Sequence, residues 1–221
     1  MMKKLAVVAA FGLMSQAFAG PFGLSQGLAI EEVVKLGQFV PGEGPYTYVA
    51  NTVTNGHIDF ETYSILLTPQ QGLCSVVAVS KEIYSNAFGH QLKRKFNELT
   101  SALSKKYGYP QVSLDFSRTF DFSKNFGFWN LEGMWIEDNT WMDGLLDRSR
   151  TLRATWENWN RTAVSEESLP TPDLILPDSL VRIRVNALAR AASQGYLRVE
   201  YRFSNYAACV AAVDLKKNSN L

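Results

Sequence analysis

"SLVRIRVNA" (residues 179–187) and "GYLRVEYRF" (195–203) decide the fold class. Both alternate apolar and polar residues, the period of a strand with one buried and one wet face. Val181, Ile183 and Val185 fall on one side of the first segment, Arg182 and Arg184 on the other. In the second, Leu197, Val199, Tyr201 and Phe203 face the core while Arg198, Glu200 and Arg202 face out. The two segments read as an antiparallel hairpin. A slip of one residue would bury all four arginines and expose the apolar set, so the register is strongly specified.

Further strands surround this pair. "PYTYVANTVT" (45–54) is rich in β-branched and aromatic residues, and "FETYSILLT" (60–68) and "LCSVVAVS" (73–80) flank the turn "PQQG". Alternation places Cys74 on one face with Val76 and Ala78, so that its partner is expected on that face. "LDFSRTFDF" (114–122) and "RTLRATWEN" (150–158) also read as strands. Helical periodicity appears three times. "HQLKRKFNELTSALSKKYG" (90–108) carries a stripe of Leu92, Phe96, Leu99, Leu103 and Tyr107, with Lys93, Arg94 and Lys95 expected on the solvated side. "DNTWMDGLLDR" (138–148) predicts a short helix capped by Asp138 and burying Trp141, Met142, Leu145 and Leu146. Ile30, Val33 and Val34 mark a short helix with Glu31 and Glu32 in its first turn and Gly37 at its end. "NYAACVAAVDL" (205–215) is a helix or strand bearing Cys209, and the proline-containing stretch 163–179 is a loop. The expected class is α+β, with helices packed on one face of antiparallel meander sheet. The chain divides into a leader, 1–19, and one globular domain, 20–221, with 20–88 and 89–221 as candidate tandem αβ units.

The leader is read from its charge and hydropathy. Lys3 and Lys4 precede an apolar run from Leu5 to Met14, and Ala17-Phe18-Ala19 follows the small-x-small pattern of signal peptidase sites. The run is too short to span a bilayer, and a buried N-terminal helix is the competing reading. Cleavage after Ala19 takes 19 residues from 221 and both leader lysines from a total of 22 Lys+Arg against 21 Asp+Glu, leaving a net charge near −1. No cysteine follows the site to carry a lipid, and no later stretch is apolar enough for a span. A periplasmic or secreted bacterial protein without span or lipid anchor is expected. The balanced charge argues against a nucleic-acid binder. Cys74 and Cys209, the only cysteines, can pair in an oxidising compartment; two buried free thiols are the alternative.

The segment "GLAIEEVVKLG" (27–37) resembles the opening of small envelope modules in which a glycine, an apolar residue, a Ser/Thr cap and a Glu-Glu-Val helix precede a β-meander. Such modules occur in outer-membrane-assembly lipoproteins and, as a tandem pair, in the β-lactamase inhibitory protein. "SKKYGYPQ" (104–111) resembles the end of a comparable helix. Ala29 stands at the Ser/Thr cap position, losing a cap worth about 1 kcal/mol, and the lipidated cysteine is absent. The resemblance covers about a dozen residues and the order of elements. It implies a fold that holds another protein and transfers no functional residue.

No coherent catalytic or metal-binding set emerges, and no cofactor is indicated. His57 and His90 stand apart without metal spacing, and no G-x-S-x-G elbow, Walker loop or G-x-G-x-x-G occurs. A small periplasmic hydrolase assembled from one of these histidines with a distant serine and acid is the alternative function. Glu132, Glu137, Asp138 and Asp143 lie among tryptophans, as in carbohydrate-acting sites, though caps and solvated edges give the same pattern. Trp129, Trp135, Trp141, Trp156 and Trp159 are mostly expected in the core, with an anchor for a partner around Trp141. The wet face bearing Arg182, Arg184, Arg198 and Arg202 is the second candidate surface, suited to an acidic protein. The expectation is a protein-binding module of inhibitor, immunity or envelope-assembly type, without catalysis.

Overall fold

The computed structural model describes residues 20–110, 112–117, 141–157 and 176–219. Within them the alternating segments form one antiparallel sheet. Strands β1 (Val40–Pro41), β2 (Thr47–Ala50), β3 (Phe60–Thr68) and β4 (Gly72–Ser80) make a meander. Strands β6 (Val112–Ser117), β7 (Arg150–Glu157), β8 (Leu180–Ala191) and β9 (Gln194–Phe203) make a second. The two join through their last strands in the order β1-β2-β3-β4-β9-β8-β7-β6, and the short β5 (Ile83–Tyr84) pairs with the start of β9. The described strands of the two candidate units, β1–β5 and β6–β9, therefore share one continuous sheet. The α+β expectation is met, and the hairpin that decided it pairs Ile183 with Tyr201 and Val185 with Val199.

One face of this sheet holds the core. Helix α2 (His90–Tyr107) packs on β8 and β9, and α3 (Trp141–Leu146) packs on β7 and β8. Leu92, Phe96, Leu103 and Tyr107 of α2 are buried, as the stripe predicts, and Leu99 packs against the core's margin. Gly89 precedes α2 with φ +74°, and a Cβ there would lie 2.1 Å from the Trp141 ring. Glycine at this position lets α3 seat its tryptophan against the start of α2. Trp156 on β7 is fully buried and donates its indole N–H to the Gly108 carbonyl (2.7 Å), tying the end of α2 to the sheet. At the other meander, Phe22 adopts φ +57° and sets its ring edge-on to Phe60, Tyr63 and Tyr201, at 5.1–5.9 Å. Those aromatic contacts offset a conformation that L-residues rarely adopt.

Burial holds the phenols of Tyr201 and Tyr63 above their ordinary pKa. At Tyr201 the neighbouring Tyr107 adds to burial, while at Tyr63 a hydrogen bond with the His57 backbone opposes it. The unfolded chain ionises these tyrosines near pH 10, before the folded chain does, so stability is intact below pH 10 and falls as pH climbs towards the folded values. Tyrosinate absorbance and circular dichroism followed together should show Tyr201 ionising only as the protein unfolds. Tyr201→Phe should raise the alkaline midpoint, and ionisation of all nine tyrosines in a folded protein would contradict this.

Several details depart from the sequence reading. The first helix, α1 (Ile30–Val33), has four residues. Ala29 offers no side-chain cap, but its N–H donates to the Glu32 carboxylate (2.9 Å), supplying the reciprocal half of a capping box. Gly37 does not cap α1 in a left-handed conformation. It bridges Val53, and a Cβ there would lie 2.7 Å from the Thr52 carbonyl oxygen. Lys93 is 8% exposed, with Nζ 4.3 Å from the Trp141 ring centroid, so it belongs to the α2–α3 interface and not to the solvated side. Leu146 is 47% exposed, and Gly144 is buried in its place. The register shift between Leu180 and Arg182 makes Val181 a bulge residue, so Leu180 takes the core position opposite Phe203. Residues 118–122, Asp138 and 163–175 lie outside the described residues.

The cysteines come together, but from the opposite face. Cys74 and Cys209 lie at disulfide-bonding distance, with Cα atoms 6.4 Å apart. The β3–β4 register shifts between Leu66 and Leu67, leaving Cys74 as the unpaired extra residue and breaking its alternation with Val76 and Ala78. Cys209 sits on α4 (Tyr206–Asn218), which packs on β3 and β4. Its Sγ is 3.3 Å from the Thr68 hydroxyl, and the Arg202 guanidinium lies 4.4 Å from the Tyr206 ring centroid. Thr68 and Arg202 project from the face opposite the core.

Candidate functional site: the arginine face

That second face carries the candidate site. Period-two alternation and strand register bring together residues from three strands. Across β7 and β8, Arg153 faces Asn186, Thr155 faces Arg184, and Glu157 faces Arg182. Across β8 and β9, Arg182 faces Arg202, Arg184 faces Glu200, and Asn186 faces Arg198. Arg182, Arg184, Arg198 and Arg202 thus share one face, as the alternation predicts. Arg153, Glu157 and Asn186 join them. The sequence reading placed 150–158 in a strand without following its alternation, which sets Leu152, Ala154 and Trp156 inward and Arg153 and Glu157 outward.

The face is not the freely solvated surface expected of it. Glu200 is only 5% exposed, and Thr155 and Asn186 are buried. Glu200 accepts a hydrogen bond from Arg202 Nε (2.8 Å) and lies 3.7 Å from Arg198 Nη1. Glu157 accepts from Arg182 Nε (2.9 Å) and also pairs closely with Arg182 Nη2. Arg153 Nε donates to the Asn186 side-chain carbonyl (2.8 Å). Among the described residues, Arg153, Arg182 and Arg202 therefore each have a hydrogen-bond acceptor, and Arg198 has an ion-pair partner.

Arg184 is the exception. Among the described residues its Nε is buried without a hydrogen-bond partner, although the residue as a whole is partly exposed. Burial is the largest influence holding its guanidinium below the ordinary pKa, and repulsion from Arg182, Arg153 and Arg202 adds to it while Glu200 opposes. Five arginines against two glutamates leave the face an excess of three positive charges. Chemically, the arrangement can hold anions: arginine presents a rigid fork that matches a carboxylate or another oxyanion.

The other candidates are located differently. Trp141 and Trp156 have no exposed surface, so Trp141 is not an anchor for a partner; it fills the space between Gly89, Lys93 and the sheet. Trp129, Trp135, Trp159, Glu132, Glu137 and Asp138 lie outside the described residues, and Asp143 is exposed. His57 Nδ1 accepts the Asp59 N–H (3.2 Å) beside an open depression of about 760 Å³. His90 Nδ1 is 3.1 Å from the Asn86 amide, and its ring stacks on Phe88. Neither histidine hydrogen-bonds a serine hydroxyl among the described residues. There too, no group of three or more His, Cys, Asp or Glu could hold a metal, and no helix is long and apolar enough to cross a membrane.

Comparison of the chain with protein-family models, with curated proteins and with solved structures finds no match. The functional reading rests on the geometry of the face itself.

Proposed function

We propose that this chain is an exported protein-binding module that docks an acidic protein on its arginine face, in an inhibitor, immunity or envelope-assembly role. The observation that carries the reading is Arg184. A protein selected for stability alone has no use for a buried, unpartnered Nε among four further arginines. Such a conflict between local stability and the fold is expected where a side chain serves binding. The resemblance of "GLAIEEVVKLG" to partner-holding envelope modules and the cysteine pair, which favours an oxidising compartment, support the same reading.

Two experiments test it. N-terminal sequencing of the native protein from the periplasm or medium should read Gly-Pro-Phe-Gly; an intact Met1 would reject export by cleavage after Ala19. The mature chain, immobilised and exposed to an extract of the same compartment, should retain one stoichiometric acidic protein at low salt. Arg184→Gln should retain markedly less of it. Equal retention by both forms would remove the arginine face from the interaction.

A further inference from the structure

We infer that Arg184, framed by Thr155, Arg182, Asn186 and Glu200, is the centre of a subsite that receives a single carboxylate from the partner. The inference deepens the proposed docking role and rests on it. Four arginines on this face are already committed: Arg153 to Asn186, Arg182 to Glu157, and Arg198 and Arg202 to Glu200. Hydrogen bonds hold Arg153, Arg182 and Arg202 within the sheet, and an ion pair with Glu200 holds Arg198. Glu200, directly opposite Arg184, is shared between Arg198 and Arg202 and gives Nε no hydrogen bond. An incoming carboxylate would pair with the exposed part of the Arg184 guanidinium, which no acceptor of the sheet engages, and offset part of the three-charge excess. The surrounding arginines would lend it favourable potential without moving. A protein carboxylate is favoured over a phosphate group because the group seated at Arg184 then brings one negative charge, and not nearly two, beside Glu200 directly opposite; the second carboxylate of a longer diacid extends away from it.

The site can be read without the partner. In the full mature protein, the arginine Nε–Hε resonances are followed by NMR during addition of glutarate, with inorganic phosphate and sodium chloride as comparisons at matched ionic strength. The Arg184 signal is identified by its loss in Arg184→Gln or Arg184→Lys. Glutarate should shift it saturably. Arg184→Gln should weaken glutarate binding by about tenfold or more, since a charge-assisted bidentate contact is removed. Without anion, the melting temperature of Arg184→Gln should equal or exceed that of the unmodified protein, as repulsion is relieved. Arg184→Lys keeps the charge but loses the fork, and should bind with intermediate strength. Equal, non-saturating shifts with glutarate and chloride would overturn the subsite, and saturation by phosphate alone would overturn its assignment to a carboxylate. Melting of Arg184→Gln well below the parent, with glutarate binding retained, would make Arg184 a structural residue. Glutarate binding at Arg184 without capture of an acidic protein would preserve the subsite and remove the proposed partner.

Discussion

Trp156→Ala should destabilise the protein by about 3–5 kcal/mol, the range for truncating a large buried aromatic residue. Trp156 has no exposed surface, and its indole N–H donates to the Gly108 carbonyl at the end of α2. Alanine would leave a cavity between α2 and β7 and deprive that carbonyl of its donor. Trp156→Phe separates the two effects. It keeps most of the ring and removes the hydrogen bond, for an expected cost of about 1–2 kcal/mol plus a smaller packing loss. Chemical denaturation of the three proteins gives the comparison directly. A change below about 1 kcal/mol for Trp156→Ala would mean that α2 is not fixed to the sheet as described.

Replacing Cys74 and Cys209 together by alanine should cost about 2–5 kcal/mol in the oxidised protein, the range for removing a native disulfide. The loss should be localised. Within α4 only Cys209 is buried, and a helix of 13 residues is marginal by itself. What remains to hold it is modest: Asn205 donates to the carbonyls of Gln71 (2.9 Å) and Leu73 (3.1 Å), and Arg202 stacks on Tyr206. Amide exchange should therefore accelerate first in 206–218, ahead of β3, β4 and α2. Reduction of the parent protein should reproduce the effect. Unchanged exchange in α4 after the double substitution would show that the helix is held by other contacts.

The faces of the sheet were legible in the sequence because strand alternation depends on nothing beyond local geometry. Ile183, Val185, Leu197, Val199, Tyr201 and Phe203 face the core, and the four arginines lie opposite. The stripe of α2 was legible for the same reason. Alternation failed at the bulges. Val181 and Cys74 are extra residues in their strands, and nothing local announces the change of parity that follows. Cys74 therefore meets α4 on the arginine face and not a partner on the core face. Lys93 was misplaced because its cover, Trp141, arrives from a distant segment. At the candidate site, the four arginines could be read, but the burial of Glu200 and the isolation of Arg184 depend on three strands meeting in register. Arg153 could have been found by extending the alternation of β7.

The order of elements explains how two modest meanders yield one broad surface. α1 precedes β1–β4, and α2 precedes β6–β9. Joining β4 to β9 removes the exposed edge of both last strands and places β9, with Arg198, Glu200 and Arg202, near the middle of the sheet. The arginine face is thus backed by fully buried core, where Val199 and Phe203 have no exposed surface. A rigid support of this kind keeps charged side chains in place before a partner arrives and lowers the ordering cost of binding.

Docking on the arginine face is tested most directly by the association kinetics of the captured acidic partner, measured for the mature protein and for Arg184→Gln from low to high salt. Steering by three uncompensated charges predicts an association rate that falls steeply with salt in the unmodified protein. The rate for Arg184→Gln should be several-fold slower at low salt, and the two should converge as screening takes over. Identical association and dissociation rates for the two proteins at every salt concentration would contradict docking on the arginine face.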